Sequence, residues 1–309
     1  MSWMPVFAPQ SPQAEAIAAL FMNFLILAAV IFIIVSGLVI YSLVRYRARQ
    51  HSGEPAKNFG SRRLEITWTV IPLMVVLALF IVTVRTMAFV DAPQEPVQPP
   101  DLIVTGHQWW WEARYPNGAV TADEIHIPAG TRALVRIESA DVIHDFWLPE
   151  LARKMDAVPG RPAYIWLEAN APRTYEGACS EFCGMQHAGM RFVVVAQPAP
   201  AFSEWLRHQR ETSPEPSGTI AIQGARLFRD QKCGDCHTIS SGEPSTGKGP
   251  TLSHIAARGL LGGRLANTRE NLTLWITSPQ SIKPGNKMPD QHIAAQDVLA
   301  LVEYLETLQ

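Results

Sequence analysis

Cys179-Ser180-Glu181-Phe182-Cys183-Gly184-Met185-Gln186-His187-Ala188-Gly189-Met190 places two thiols, an imidazole and a thioether within twelve residues. Thiolate and thioether sulfur are soft donors and imidazole also suits copper, so the spacing Cys-x-x-x-Cys-x-x-x-His-x-x-Met selects copper over hard cations. Zinc favours a closed set of four Cys or His ligands, which the methionine contradicts. The competing reading is a small disulfide in an exported protein, with His187 and Met190 as packing residues, because paired cysteines are ordinary in an oxidising compartment.

The compartment follows from the other end of the chain. Of 309 residues 47% are hydrophobic and only 17% charged, and the apolar excess is concentrated. No charge occurs over 16–44 or over 66–84, runs of 29 and 19 residues, where roughly 20 suffice to cross the hydrocarbon core. Two transmembrane helices are expected, over about 17–44 and 65–86, anchoring the chain in a lipid bilayer. The first run is too long for a cleaved signal peptide, lacks a basic segment before it and is followed by Arg45, Arg47 and Arg49. Pro72 is tolerable inside a membrane helix whose neighbours satisfy the freed carbonyl. Arg45, Arg47, Arg49, Lys57, Arg62 and Arg63 lie between the spans, while the first fifteen residues hold no Lys or Arg. By the positive-inside rule the short loop is cytoplasmic, and the N-terminus and everything after about Asp91 face outward. A net charge of −2 gives no case for nucleic acid.

Residues 92–100 form a proline-rich connector that cannot hold a helix. Segments rich in β-branched and aromatic residues follow at 102–105, 109–115, 124–127, 133–138, 143–148, 163–168 and 191–197, with Pro116-Asn117-Gly118 and Pro128-Ala129-Gly130 as turns. That pattern predicts an all-β sandwich or barrel with the 179–190 loop just before its last strand. A second linker, 199–218, contains a short helix around 202–209. Helical spacing of apolar residues returns over 220–229, 272–277 and 294–307.

Within this last part, Cys233-Gly234-Asp235-Cys236-His237 is a CxxCH sequence, in which two thiols add to heme vinyl groups and the imidazole binds iron. A thioredoxin-like dithiol is the alternative, but the βαβ setting it needs is missing. Met288, in Lys283-Pro284-Gly285-Asn286-Lys287-Met288-Pro289, is the expected sixth ligand, since a thioether raises the iron potential relative to a second imidazole. The two cofactor motifs together use all four cysteines and leave none for a disulfide.

The C-terminal ninety or so residues resemble class I cytochromes c, through Gly224-Ala225-Arg226-Leu227-Phe228, the CxxCH, Gly249-Pro250, Asn271-Leu272-Thr273-Leu274-Trp275-Ile276, the Met288 loop and Tyr304. The resemblance implies that the Pro250 region steadies His237 through its ring nitrogen. The preceding part resembles subunit II of the heme–copper cytochrome c oxidases. Its blocks are Gly106-His107-Gln108-Trp109-Trp110-Trp111, Asp141-Val142-Ile143-His144-Asp145-Phe146-Trp147-Leu148-Pro149, Met155-Asp156-Ala157-Val158-Pro159-Gly160-Arg161 and the 179–190 loop, in the family's order.

These resemblances imply a multidomain membrane protein: a two-helix transmembrane hairpin (1–91), a cupredoxin-like all-β Greek-key domain with a dinuclear copper centre (99–198), a linker (199–218) and an all-α cytochrome c domain (219–309). Cys179 and Cys183 would bridge two coppers, with His144 and His187 as terminal imidazoles and Met190 and the Glu181 carbonyl completing the set. The Glu181 side chain matches a ligand for magnesium or manganese at the boundary with subunit I, against an exposed loop acid. Trp109 matches the family's electron-entry tryptophan, while for Trp110 and Trp111, on alternating strand faces, packing competes. Glu65 matches a carboxylate at a proton-uptake entrance, against an interfacial acid with no role.

The implied function is passage of single electrons from a soluble or membrane-bound cytochrome c, or another donor, through heme c and copper to heme a. Heme a and the heme–copper reaction centre would lie in subunit I, where oxygen is reduced to water with proton translocation; subunit III is a further expected partner. The implied location is the bacterial inner membrane, with both cofactor domains periplasmic. The rivals are a copper-containing subunit of a nitric oxide reductase and a membrane-bound copper carrier or assembly factor.

Overall fold

The two apolar runs become helices α1, Pro12–Arg45, and α2, Arg62–Val90, in a computed structural model that describes residues 5–47, 60–243 and 245–309. Arg49 and Lys57 of the basic loop lie outside the described residues. Both helices outrun the expected spans: Glu15 in the first turn of α1 and Arg45 in its last suit the helix dipole, while α2 starts at Arg62, with Glu65 in its first turn, and runs on to Val90. At 1.5 Å per residue they measure roughly 50 and 43 Å, more than the ~30 Å hydrocarbon core. Their apolar side chains stay exposed, among them Phe32 at 71% and Phe80 at 63%. That is the surface of a helix solvated by lipid. Pro72 lies inside α2 without ending it.

The helices form one compact unit, Glu15–Asp91, and Ala92–Gln309 with the residues up to Ala14 forms the other. Ten strands open the second unit: β1 Leu102–His107, β2 Trp110–Arg114, β3 Val120–Ala122, β4 Glu124–Pro128, β5 Ala133–Ser139, β6 His144–Trp147, β7 Met155–Ala157, β8 Ala163–Leu167, β9 Arg173–Cys179 and β10 Arg191–Gln197. They make two five-stranded sheets, ordered β3-β2-β1-β5-β8 and β4-β10-β9-β6-β7. Pairing is antiparallel except β1 with β5 and β4 with β10, the crossovers of a cupredoxin-like sandwich. Alternation supplies the core: Phe192, Val194 and Ala196 of β10 point inward with Tyr175 and Cys179 of β9. They meet Val104, Trp111, Val135 and Ile137 from the other sheet.

Three of these strands, β3, β7 and β9, are additional to the seven segments expected. The first two are three residues long, and β9 ends in Gly177-Ala178-Cys179, which carries little strand propensity. Gly177 is required there because any Cβ would collide with the Phe192 ring.

The segment 199–218 is more than a connector. Helix α3, Ala199–His208, starts three residues before the expected helix and packs Phe202, Trp205 and Leu206 on the sandwich core. Asn117 Nδ2 donates to Leu206 O at 2.8 Å, and Ser213 and Ser241 tie the segment after α3 to the C-terminal part. There α4, Thr219–Asp230, crosses α7, Ala295–Leu305, at Gly224, whose added Cβ would collide with the Ala300 carbonyl. A short ribbon, β11 Leu260–Leu261 with β12 Leu265–Ala266, leads to α5, Arg269–Thr277, and α6, Pro279–Ile282. Phe228, Ile255, Leu272, Ile276, Val298 and Leu301 fill the helical core.

The α3 contact responds to acid. The His126 ring stacks on Trp205 at 3.9 Å between centroids, with Nδ1 3.0 Å from Gln197 Oε1, and burial lowers its pKa from 6.5 to about 4. The unfolded chain therefore binds the proton first, so this histidine favours the folded state above pH 6.5 and progressively loses that effect as pH falls toward about 4. Thermal unfolding of wild type and His126→Gln between pH 7 and 4.5 should show a steeper acid loss in wild type; parallel curves would refute the assignment.

Candidate functional site

Strand register brings the first two ligand candidates together. Phe146 of β6 pairs with Cys179 of β9, so His144, two residues before Phe146, points to the same inner face. His144 is fully buried, and its Nδ1 lies 3.9 Å from Cys179 Sγ. Gly106 makes room for the imidazole, since an added Cβ would stand 2.9 Å from His144 Cδ2. The loop after β9 folds back through a turn at Gly184, φ +115°, and brings in the remaining groups. Cys183 Sγ lies 3.8 Å from Cys179 Sγ, 3.7 Å from His187 Nδ1 and 3.8 Å from Met190 Sδ. The Glu181 carbonyl is 3.3 Å from Cys179 Sγ. All six expected donors thus converge, and both cysteines are free thiols. The Glu181 side chain points out and is exposed.

The proton distribution suits a site that receives a cation. The hydrogen bond with the Cys183 thiol, supported by His144 and opposed by desolvation, draws Cys179 down to about 3. Cys183 moves upward because it shares that proton and is itself buried. Asp141, a residue the sequence reading passed over, accepts from His144 Nε2 at 2.8 Å and from the Gln108 N–H at 2.7 Å. Burial works against its ionised form, yet the hydrogen bonds from His144, Gln108 and Val142 hold it well below the usual carboxylate range. Asp141 therefore fixes the ring so that Nδ1 faces the sulfurs. Its position three residues before a candidate ligand was the available signal.

Trp109 braces the loop from outside. Its Nε1 donates to Cys183 O at 3.0 Å, beside Gln108 Nε2 at 2.8 Å. The neighbouring tryptophans pack: Trp111 is fully buried against Phe146 and Phe192, and Trp110 stacks on His107.

In the helical part, Cys233, Cys236 and His237 form one tight turn, with the N–H groups of Cys236 and His237 donating to Cys233 O at 3.2 and 3.0 Å. His237 Nδ1 donates to Pro250 O at 2.7 Å, which leaves Nε2 as the free lone pair. Burial lowers the pKa of His237 and keeps the ring neutral. Gly249 is confined by this ring, a Cβ there standing 2.7 Å from His237 Cε1. The Met288 loop is braced by Gln280 Nε2, which donates to Asn286 O and Met288 O at 2.9 and 2.7 Å.

Three family models match along the chain: cytochrome c oxidase subunit II, transmembrane domain, over 3–85; cytochrome c oxidase subunit II, periplasmic domain, over 119–197; and cytochrome c over 221–309. Cytochrome c oxidase subunit 2 of Alkalihalophilus pseudofirmus is 35% identical over 308 residues, covering 97% of this chain and 90% of the relative. The chain belongs to the cytochrome c oxidase subunit II family. Subunit 2 of the Bacillus subtilis cytochrome c oxidase is 31% identical, covering 87% of this chain and 82% of its own. A quinol oxidase subunit 2 of Bacillus cereus is 32% identical, covering 69% and 75%.

For a subunit II of this family, with a cytochrome c match at its C-terminal end, membership implies copper, heme, a membrane location and assembly with an oxidase subunit I. The sulfur and imidazole donors suit copper, and the CxxCH turn suits heme. Gly106→Ala, which pushes the His144 ring from its seat, should cost about 1–3 kcal/mol of stability, as overpacking does. Denaturant unfolding of the variant measures this, and an unchanged midpoint would show that the ring has space to retreat.

Proposed function

We propose that the chain passes single electrons from a reduced donor through its own covalently attached heme c and a dinuclear copper centre to heme a in subunit I, supporting oxygen reduction to water and proton translocation. The observation that carries this reading is the meeting of the two candidate cofactor loops at Trp109, whose indole N–H donates to Cys183 O and whose carbonyl accepts from Lys283 Nζ. In this reading Cys179, Cys183, His144, His187, Met190 and the Glu181 carbonyl would hold the copper, which would supply one-electron redox chemistry there. Cys233, Cys236, His237 and Met288 would hold the heme. When bound, each group takes up and releases one electron at a time.

The chain's own residues supply the conditions. Buried His144, Cys183 and Met190 keep water from the sulfurs. Asp141 and Gly106 orient His144, and the Cys183 carbonyl, held by Trp109 and Gln108, fixes the loop. Trp109 is the electron-input residue. The exposed Glu181 carboxylate is assigned to a magnesium or manganese ion shared with subunit I, and Glu65 in the first turn of α2 to proton uptake. Both cofactor domains stand on the periplasmic side of the inner membrane, on the strength of Arg45, Arg47, Arg62 and Arg63 between the spans. Subunit III and a cytochrome c donor complete the assembly.

The purified membrane complex tests this by optical and electron paramagnetic resonance spectra. Wild type should show a dinuclear copper signal and heme that survives denaturation. Cys183→Ser should lose the copper signal and keep the heme, and Cys233→Ser should do the reverse. A mononuclear copper signal would sink the dinuclear assignment. A complex without a heme a chromophore or oxygen uptake would favour nitric oxide as acceptor. Asp141→Ala should lower copper affinity by about 10- to 100-fold, as loss of a group behind a ligand does; equal retention against a chelator in both proteins would remove Asp141 from that role.

A further inference from the structure

Lys283 is a lysine in a loop that reads as solvated, yet only 4% of it is exposed. Its Nζ donates to Trp109 O at 2.7 Å and to Gly262 O at 3.1 Å. The first partner belongs to the sandwich, the second to the helical domain, and Lys283 itself lies five residues before Met288. An ammonium in such a place is expensive to desolvate and persists only when its donors are met. Here two carbonyls meet it, and Asp123 of the sandwich supplies the opposite charge nearby.

Its neighbours along the loop reach the copper loop as well. Gln186 Nε2 donates to Pro284 O, and a Cβ on Gly285 would collide with Met185 Sδ. Lys287 Nζ lies 3.6 Å from Asp141 Oδ2, the carboxylate behind His144. Deeper in the same interface, acids of the sandwich meet groups of the helical domain. Glu124 Oε2 accepts from Gly259 N at 2.9 Å, and the charges of Asp123 and Glu124 act on buried Arg258. Trp109 is thereby held from two sides, its carbonyl by the heme loop and its indole N–H by the copper loop.

We infer that Lys283 is a positioning residue for electron input: its buried ammonium pins the Met288 loop against Trp109 and holds the two cofactor loops at one fixed separation. The inference rests on the functional reading above for what passes between the loops, and on the contacts alone for the clamp. A methionine of similar length fills the space but donates nothing to either carbonyl, so both loops are released locally while each domain keeps its core.

Lys283→Met in the full complex is the test, with exposed Lys248→Met as control. Copper and heme content and the unfolding midpoints should match wild type. Amide hydrogen exchange over 106–111 and 283–288 should accelerate in Lys283→Met only. Transfer from heme to copper after flash photoreduction should slow about tenfold, the scale of a small misplacement of reacting partners. Wild-type exchange protection in a folded Lys283→Met protein overturns the clamp whatever the cofactors do, and an unchanged transfer rate in the loaded variant overturns its role in electron input. A wild type without the dinuclear copper signal instead overturns the functional reading, and the exchange comparison still decides the clamp. If Lys283→Met does not accumulate, Lys283→Gln, which keeps N–H donors on a shorter arm, should give intermediate exchange and rate; wild-type values there overturn the proposal equally.

Discussion

The pairing of Phe146 with Cys179 sets the geometry on which the 179–190 loop depends. Side chains alternate across a strand, so a slip of one residue of β6 along β9 would turn His144 away from the face that carries Cys179. Large aromatic rings oppose that slip. Phe146 stacks on Phe192 at 4.6 Å between centroids, and Trp111 meets both rings edge-on or tilted. Two glycines give these groups space, Gly177 beneath Phe192 and Gly106 beside His144. Packing of the sandwich and placement of the proposed ligands are thus one constraint, and changes that loosen the aromatic block act on the site as well.

The interface between sandwich and helical domain adds a second principle, because it buries charged groups from both sides. Burial raises Asp123 from 3.8 to about 6, against the charges of Lys283 and Arg258 and the N–H of Trp111. Arg258 is lowered to about 10 by the same desolvation, although Glu124 and Asp123 oppose it. Arg258 also donates to Thr251 O and Ser253 O at 2.8 Å. Such groups give little net stability compared with apolar packing, but each must find its partner, which makes one docking arrangement far better than its neighbours. An interface of this kind fixes register more than it adds adhesion.

The parts of the molecule that could be read in the sequence are those whose chemistry is contiguous. Uncharged runs gave the two helices, CxxCH gave the candidate heme turn, and the twelve residues from Cys179 held five of the six proposed copper donors together. His144 lies 35 residues earlier, and only its block resemblance drew attention to it. Asp141, Gln108 and Lys283 carried no composition signal, since an acid, an amide and a lysine in loops are ordinarily solvated. Their roles come from tertiary neighbours. The same holds for β9, whose Gly177 looks like a strand breaker until Phe192 is placed above it, and for α3, whose Trp205 needs His126 as a partner.

One-electron transfer favours ligands that keep their positions when charge changes, and the proposed copper donors differ in how they are restrained. His144 and Cys179 are held by strand pairing, with His144 seated on Asp141. Met190 is fully buried, and its N–H donates to the His187 carbonyl while its own carbonyl accepts from Cys179 N, closing the loop onto the end of β9. Cys183 is held through its carbonyl by two donors from the turn before β2. His187 is the least enclosed, with Phe182 edge-on at 5.9 Å and itself 76% exposed. Rigidity therefore falls from the strand side of the site to its loop side. On that loop side the restraint comes from the other domain: Lys283 donates to the Trp109 carbonyl and the Trp109 indole donates to the Cys183 carbonyl, so the Met288 loop and the 179–190 loop share one brace that does not involve His187.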